Sequence, residues 1–420
     1  MRVVVQRCAG LDVHKDSVVA CVRTPDPDGG WQTQTRTFGT MTVELLALRD
    51  WLVACGVTLV GMESTGVYWK GPFYLLEDQL EVWLLNARHL KAVPGRKTDV
   101  QDAEWICELV AHGLVRPSFV PPPPIRELRN LTRYRKTQIE ERGREAQRLD
   151  KVLQDAGIKL SSVATDILGK SGRDMLQALV AGTRDPEVLA ELARGKLRAK
   201  LPALRQALRG RFASQHAVVV AAILAKLDFL DELIAQLSVE IDRVVAPFEA
   251  QVGLLATIPG VDRRTAQAIV AEIGVDMGRF STAGHLASWA GMCPGQYESA
   301  GKQRSGRARH GDSWLQRHLA TAAMAAARTR GSYLSAQYQR LVGRRGKARA
   351  RKAVGHSILV AVHHMLTDSV AWQDLGDDWF QRRHDPKVQA RRKLSELKAL
   401  GCEVVLQPDG TAIVTPPAAA

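Results

Sequence analysis

The order of extended and helical segments in the first 115 residues constrains the fold more than any other feature of this sequence. Three segments with the apolar or alternating pattern of strands come first, and they end near Asp12, Arg23 and Phe38. After them, helical spacing alternates with short apolar runs that end near Glu63 and Leu85. Three strands followed by βα units predict an α/β domain with a mixed sheet flanked by helices.

This order of elements is that of the ribonuclease-H-like fold, which we predict for residues 1–120. The domain is expected to end at four consecutive prolines, 121–124, which predict a stiff extended linker rather than a helix. Residues 121–250 are predicted to form a helical coiled-coil region, with an ordinary helical bundle as the alternative. An apolar seam recurs at alternating steps of four and three residues, through Ile223, Leu227, Leu230, Ile234, Leu237, Ile241 and Val244. This seam is expected to pack on a helix of the same chain or on another subunit.

A third, mostly helical domain is predicted over residues 251–372. The segment 254–274 has two helical stretches around an Ile-Pro-Gly-Val turn, which is the pattern of a helix-hairpin-helix motif. Gly260 would let backbone amides approach a phosphate, although a tight turn without any role in DNA binding has the same pattern. The tail, residues 373–420, is predicted to contain a β-hairpin with an Asp-Gly turn.

Charge and cysteine usage narrow the class of function. The net charge is +14, and residues 301–352 carry 14 Lys and Arg against one acid, Asp312. So localised an excess indicates a polyanionic partner, first of all nucleic acid. The six cysteines form no CxxC pair, the N-terminus has no signal-peptide pattern, and no apolar run can span a bilayer. We expect a cytoplasmic, nucleoid-associated protein with free thiols.

Four acidic residues stand where metal-dependent chemistry would use them. Asp12 and Glu63 end strands that are expected to be neighbours, while Asp99 and Asp102 lie three residues apart at a helix start. Clustered carboxylates repel one another unless cations lie between them, and oxygen ligands prefer Mg²⁺ or Mn²⁺. Such a site fits phosphoryl transfer on nucleic acid. Each acid alone could instead be a favourable helix-end or strand-end charge.

Basic residues close to these acids are candidates for phosphate contacts. Lys15 follows Asp12 by three positions, and Lys97 precedes Asp99 by two. Lysine binds phosphate as a compact point charge. Both are therefore predicted to contact nucleic acid.

A second group of functional candidates lies in a loop rich in small residues, 291–302. Ser299 precedes Ala-Gly, and the cations Lys302, Arg304, Arg307 and Arg309 follow it. A serine among guanidinium groups can attack a phosphate, since the cations stabilise the developing charge. On these residues alone, a serine that only contacts phosphate is favoured, and Ser305 is the rival nucleophile.

Five sequence blocks, in order, resemble the DEDD transposases of bacterial insertion sequences, a family of bridge-RNA-guided recombinases. They are GLDVHK, MESTG, KTDVQDA, IPGVDRRTAQAIVAEIG and AGMCPGQYESAGKQRSGRARHG, and the resemblance runs from Arg2 to Leu366. It implies a domain similar to Holliday-junction resolvases, in which Asp12, Glu63, Asp99 and Asp102 bind Mg²⁺.

The resemblance also implies partners and a division of labour between domains. Ser299 would link covalently to a DNA end, in a composite site formed by the two domains. A structured bridge RNA would pair with donor and target DNA, and the coiled coil would form a dimer or tetramer. The tail beyond Trp372 is longer than the family's compact members lead us to expect.

Two other functions account for part of the sequence. A junction-resolving nuclease that uses metal-bound water explains the four acids but leaves the loop around Ser299 unexplained. A DNA-binding module without enzymatic activity explains the helix-hairpin-helix pattern and the basic segment but not the acids.

Overall fold

A computed structural model describes residues 3–63, 66–86, 99–295, 297–299, 301–382, 386–399, 402–406 and 412–415. The chain divides into two compact units, Met1–Val120 and Pro121–Ala420. Each unit is described by itself below.

The first unit is built on a five-stranded mixed sheet, as predicted. The strand order is β3-β2-β1-β4-β5, with β2 antiparallel to both of its neighbours, β1 and β3, and with β1, β4 and β5 parallel. The elements are β1 Cys8–Val13, β2 Ser17–Pro25, β3 Trp31–Gly39, α1 Thr42–Ala54, β4 Leu59–Glu63, α2 Lys70–Leu76, β5 Glu81–Leu85 and α3 Asp99–Ala111.

Alternation along the strands gives this sheet two apolar faces. Leu11, Val13 and Met62 belong to a core that is completed by α1 and α2. Cys8, Cys21 and the residues of α3 form the core on the other face. Because side chains alternate along a strand, Asp12 and Glu63 lie on the same face as α3.

The second unit is mostly helical, and its first two long helices pair with each other. They are α4, Pro123–Asp155, and α9, Ser214–Val245. Between them lies a small lobe, residues 156–213, whose core includes Leu176, Leu189 and Leu204. The lobe contains α5 Leu160–Val163, α6 Lys170–Val180, α7 Pro186–Glu191, a 3₁₀ turn Gly195–Lys200 and α8 Leu201–Ala207.

The predicted seam on α9 packs against α4 of the same chain. Polar contacts fix an antiparallel register: His216 bonds Asp155 at 3.0 Å, and Lys226 bonds Glu141 at 3.1 Å. Leu227 and Ile241 are fully buried, whereas Ile234 in the middle of the seam is only half-buried. The partner helix is therefore within the chain.

The interpretation of the four prolines as an extended linker was wrong for the last two. Helix α4 begins at Pro123, with Pro122 as its N-cap. Proline is tolerated in the first helical turn, because those backbone amides have no partner within the helix and the fixed φ suits the helix start.

The remaining elements of the second unit carry the serine loop and the tail. They are 3₁₀ Ala246–Phe248, α10 Glu249–Leu255, α11 Arg263–Ile273, 3₁₀ Met277–Arg279, α12 Ala283–Trp289, β6 Tyr297–Ser299, β7 Lys302–Ser305, α13 Ser313–Ala326, α14 Tyr333–Asp368, α15 Trp379–Arg382, α16 Pro386–Ala399, β8 Glu403–Leu406 and β9 Ala412–Thr415. The predicted hairpin of the tail is present as the antiparallel pair β8 and β9. Among the described residues, no helix is long and apolar enough to cross a membrane.

Candidate active site

The register of the sheet places Asp12 and Glu63 side by side. Strands β1 and β4 are parallel, and their last paired residues are Leu11 and Met62. The next residue of each strand is an acid, so Asp12 and Glu63 lie at one position of the register and on one face. Asp12 is only 6% exposed, and Glu63 is half-buried.

Helix α3 crosses this face so closely that the strands beneath it need glycine. A Cβ on Gly10 would lie 2.2 Å from the carbonyl oxygen of Ala103 and 2.4 Å from the amide nitrogen of Cys107. A Cβ on Gly61 would lie 2.5 Å from a methyl group of Val110. The helix backbone therefore lies directly on β1 at Gly10, whereas side chains of the helix fill the space over Gly61 of β4.

The contacts of α3 with β1 also give the direction of the helix. Cys107 Sγ lies 3.7 Å from Cys8 Sγ, and Ala103 lies over Gly10. Four helical residues advance by about 6 Å, close to the roughly 6.6 Å of two strand residues. The same step leads next from Ala103 to Asp99 and from Gly10 to Asp12. The start of α3 thus lies toward the strand ends that carry the first two acids.

The second helix acid lies near the same end of α3. Asp102 is half-buried and three residues from Asp99, while the side chain of Asp99 lies outside the described residues. Glu104, further along, points elsewhere: it accepts a hydrogen bond from Thr35 Oγ at 3.4 Å. Of the helix acids, the predicted pair is therefore the one at the site end of α3.

Asp12 contacts a histidine, His14, and the sequence pattern did not predict this contact. His14 Nε2 lies 3.0 Å from Asp12 Oδ2, and the His14 ring is exposed. Its backbone amide donates to the carbonyl oxygen of Ser17 at 2.9 Å, which closes the turn between β1 and β2. The proximity of His14 in the sequence was the available signal.

A carboxylate donor set of this kind fits a hard divalent cation. Oxygen ligands from two strand ends and one helix start suit Mg²⁺ or Mn²⁺. Within the described part of the chain, no group of three or more His, Cys, Asp or Glu side chains is close enough to hold a metal ion. The side chain of Asp99 is not among these described groups.

Of the two predicted lysines near the acids, Lys15 lies within the described residues. Lys15 is exposed in the turn after β1, where its carbonyl oxygen accepts a hydrogen bond from Thr40 Oγ at 2.9 Å. Its ammonium group is thus accessible to a phosphate near Asp12. Lys97 lies outside the described residues.

In the second unit, the predicted helix-hairpin-helix segment is the turn between α10 and α11. Gly260 has φ +85°, and a Cβ there would lie 2.4 Å from Ala322 O and from Ala326 N of α13. Close packing on α13 is sufficient to explain this glycine. The carboxylate of Asp262 caps α11 by accepting from the Thr265 amide at 2.8 Å. A phosphate contact at Gly260 remains a prediction.

The loop with the candidate serine forms a β-hairpin. Strands β6 and β7 are antiparallel, Ser299 pairs with Lys302, and Gly301 before Lys302 has φ +71°. Ser305 pairs with Tyr297 at the other end of the hairpin. The two serines therefore occupy opposite ends, and Ser299 is the one at the tip.

The cations that follow Ser299 are displayed around this hairpin. Lys302, Arg307 and Arg309 are exposed, while the side chain of Arg304 lies outside the described residues. Exposed guanidinium and ammonium groups of this kind contact phosphates.

Two glycines hold the ends of the serine loop together. A Cβ on Gly311 would lie 2.3 Å from the backbone of Ala290 and of Gly291, so the chain crosses itself here. Gln316 Nε2 donates to Ala290 O at 2.8 Å and supports the crossing. The hairpin is thus presented by a loop whose two ends touch.

A buried ion cluster, which the sequence pattern did not reveal, anchors the same loop to α4 and α11. Arg133 Nη2 lies 2.7 Å from Glu272 Oε2 and 3.0 Å from Asp312 Oδ2. Arg129 Nε lies 3.2 Å from the same Glu272 oxygen. Asp312 also caps α13 by accepting from the Leu315 amide at 2.8 Å. The single acid of the basic segment therefore has two structural roles.

Burial and ion pairing shift the pKa values of Glu272 and Arg133 in opposite directions. Burial raises the pKa of Glu272, and the hydrogen bond from Arg133 only partly offsets it. Burial on its own would lower the pKa of Arg133, but the hydrogen bond and charge of Glu272 outweigh it and raise that pKa. The cluster is thus held by charge-assisted hydrogen bonds around a buried carboxylate.

Two family models match the chain, one over each of the two groups of candidate residues. A family model described as the DEDD transposase of IS110 matches residues 9–158, and one described as the transposase IS116/IS110/IS902 family matches residues 252–339. The chain belongs to the IS110 family of transposases. The first match of this transposase contains Asp12, Glu63, Asp99 and Asp102, and the second contains Gly260 and Ser299. No curated protein matches the transposase.

Membership gives the coarse function. A transposase acts on DNA as its partner and cleaves and recombines it, and the DEDD domain indicates dependence on a divalent metal.

Proposed function

We propose that this transposase cuts and rejoins DNA with two sets of residues: a ribonuclease-H-like site of Asp12, Glu63, Asp99 and Asp102, and the nucleophile Ser299. The observation that carries the proposal is the register of β1 and β4, which puts two acids at one position, with the start of α3 toward them. The bound ions would be Mg²⁺ or Mn²⁺, and they would supply charge stabilisation to the transferring phosphate.

The covalent step balances without a further reactant. Ser299 Oγ forms a bond to the phosphorus of a DNA strand while the bond from phosphorus to the leaving strand oxygen breaks. The proton that the serine gives up is matched by the one that the leaving oxygen takes up to become a hydroxyl group. Rejoining reverses this exchange when another strand's hydroxyl attacks the phosphoserine. Lys302, Arg304, Arg307 and Arg309 would stabilise the negative charge that develops on the phosphate oxygens.

The position of Ser299 favours it over Ser305. A serine at a hairpin tip next to a turn glycine allows a strand of DNA to approach closely, because Gly301 has no side chain and no neighbour lies within 4 Å of a Cβ built on it. Ser305 is at the base of the hairpin, opposite Tyr297.

Substitution of the acids and of the serine separates the two parts of the proposal. We expect Asp12→Asn to reduce strand cleavage by about a thousandfold or more while DNA binding remains, since one lost metal ligand removes transition-state stabilisation. We expect a protein–DNA adduct, resolved on a denaturing gel, to disappear in Ser299→Ala and to remain in Ser305→Ala. Cleavage that persists in Asp12→Asn contradicts the metal site. Cleavage of junctions without any adduct favours a resolving nuclease.

A guide RNA and a homo-oligomer complete the proposal. The family resemblance suggests a bridge RNA that pairs with donor and target DNA, and the transposase would bind it alongside DNA. For a dimer or tetramer, the supporting observation is the outer side of α9, where Val218, Phe229 and Val239 are 71%, 61% and 72% exposed. We expect Phe229→Glu to shift the sedimentation coefficient toward that of the monomer, and an unchanged value would contradict this interface.

A further inference from the structure

Helix α14 folds back on itself. At Gly346 the backbone leaves the helical region, with φ 77° and ψ 164°. Gln337 Nε2 donates to Ser357 Oγ at 2.9 Å, although 20 residues separate them and a continuous helix would place them about 30 Å apart. The element is therefore two antiparallel arms, and residues 340–352 form their junction, named the arginine tip below.

The arginine tip concentrates positive charge. Its seven cations are Arg340, Arg344, Arg345, Lys347, Arg349, Arg351 and Lys352, and it has no acid. From Ser313 to Thr367 the sequence contains no Asp or Glu at all. Within the described part of the chain, no ion pair joins the exposed cations from Arg344 to Arg351 to an acidic side chain. Such a concentration of like charge favours a polyanionic partner.

Of the two glycines of the tip, Gly346 is explained by the fold and Gly343 is not. Gly346 needs its φ of +77°, which side chains rarely allow. Gly343 has no positive φ, and a Cβ built on it would meet nothing within 4 Å. Glycine within a helix is unfavourable relative to alanine. The open backbone at Gly343 is therefore suited to close approach by a ligand from outside the chain.

The composition of the tip favours phosphate contacts over stacking on unpaired bases. Residues 340–352 include no aromatic side chain on which an unpaired base could stack. Arginine and lysine bind phosphates of any sequence. We propose that the arginine tip binds the phosphate backbone of duplex DNA.

This proposal rests on DNA as the partner of the family and does not depend on the chemistry of the acids or of Ser299. It is therefore tested in EDTA, where cleavage is not measured. The probe is a short DNA duplex of scrambled sequence, and its affinity is followed by fluorescence anisotropy over a range of salt concentrations.

The triple variant Arg344→Gln, Arg345→Gln and Lys347→Gln removes three charges from the tip. Each lost phosphate contact should reduce the slope of log K against log salt by about 0.9, so the slope should become shallower by up to about 2.7. The matched control, Lys151→Gln, Arg209→Gln and Arg211→Gln, removes three charges from exposed positions elsewhere and should keep the wild-type slope.

A second variant tests the backbone approach without changing charge. Gly343→Ala should raise the melting temperature, because alanine favours helix, and should weaken duplex binding severalfold. An unchanged salt slope in the tip variant, or equal loss in the control, would overturn the proposal. So would loss of binding to a structured RNA with unchanged binding to the DNA duplex. Unchanged affinity in Gly343→Ala would contradict the close approach.

Discussion

The acids of the first unit and the serine hairpin of the second are positioned in opposite ways. Asp12 and Glu63 are set by the register of two buried parallel strands, with a helix packed on the sheet beneath them. Ser299 lies at the tip of a short hairpin, and distant contacts hold the loop that presents it. The first arrangement is specified locally by alternation along strands, whereas the second depends on side chains more than 100 residues away.

The largest effect should come from the packing of α3 on the sheet. In Gly10→Ala the new methyl group would meet the backbone of Ala103, so α3 must move and carry Asp99 and Asp102 with it. We expect strand cleavage to fall by about a hundredfold, because displacements of about 1 Å have such effects in active sites. A cleavage assay with Gly71→Ala as the control, whose Cβ makes only ordinary contact with Leu45, checks this. Equal activity of the two variants would show that α3 does not position the acids.

Removal of Arg133 should be the next largest effect, and it should appear as stability of the second unit. Arg133→Met leaves Glu272 with Arg129 as its remaining partner in a buried site. We expect the free energy of unfolding to fall by about 3 kcal/mol, in line with other broken buried ion pairs. Urea titration measures it, and Arg279→Met, which breaks only an exposed pair with Asp276, is the control. Equal losses in both variants would contradict an anchoring role for the cluster.

A smaller effect is expected where the ends of the serine loop meet. Gly311→Ala would force Ala290 and Gly291 apart and misplace the hairpin. Strand transfer should fall by about tenfold, since orientation of the nucleophile is lost but its chemistry remains. Gly306→Ala lies in the same loop with open space around it and should stay near wild type. If Gly306→Ala is equally impaired, flexibility of the loop matters more than its closure.

The smallest effect concerns pH. Burial, and then the charges of Lys136 and Arg135, lower the pKa of His318 to about 4 from an ordinary value of 6.5. Between these values only the unfolded chain takes up the proton, so stability falls as pH decreases from about 6.5 to 4. At pH 5 the loss should be about 1–2 kcal/mol, at about 1.4 kcal/mol per pKa unit and allowing for partial exposure. Urea titrations at pH 7.5 and 5 should show a smaller difference in His318→Gln, and an undiminished difference would contradict this assignment.

The sequence predicted structure correctly where the spacing of apolar residues determines the position of a strand or helix. Alternation and short apolar runs predicted the mixed sheet, and the four acids became candidates because strand ends and helix starts can be read from a pattern. The tail hairpin was predicted for a similar reason. Pro123 was misassigned, because the rule against proline in helices does not apply to the first turn.

Contacts between distant segments could not be predicted in this way. Nothing in the spacing of Arg133, Glu272 and Asp312 indicates that they meet, since α4, α11 and α13 come together only through tertiary packing. Gly260 shows the same limit: its turn was recognised, but the helix that packs on it begins more than 50 residues later. A sequence pattern can identify a helix or a turn, but it does not show which distant segment packs against it.

The pairing of α4 with α9 also fixes a length. The lobe of residues 156–213 sits at the end of two antiparallel helices of 33 and 32 residues, which extend for about 48 Å. The helix pair sets the distance of the lobe from the other end of the pair, because contacts between the two helices run from Arg243 with Glu127 to His216 with Asp155. Removing seven residues from each helix would keep the seam in phase and bring the lobe inward by about 10 Å.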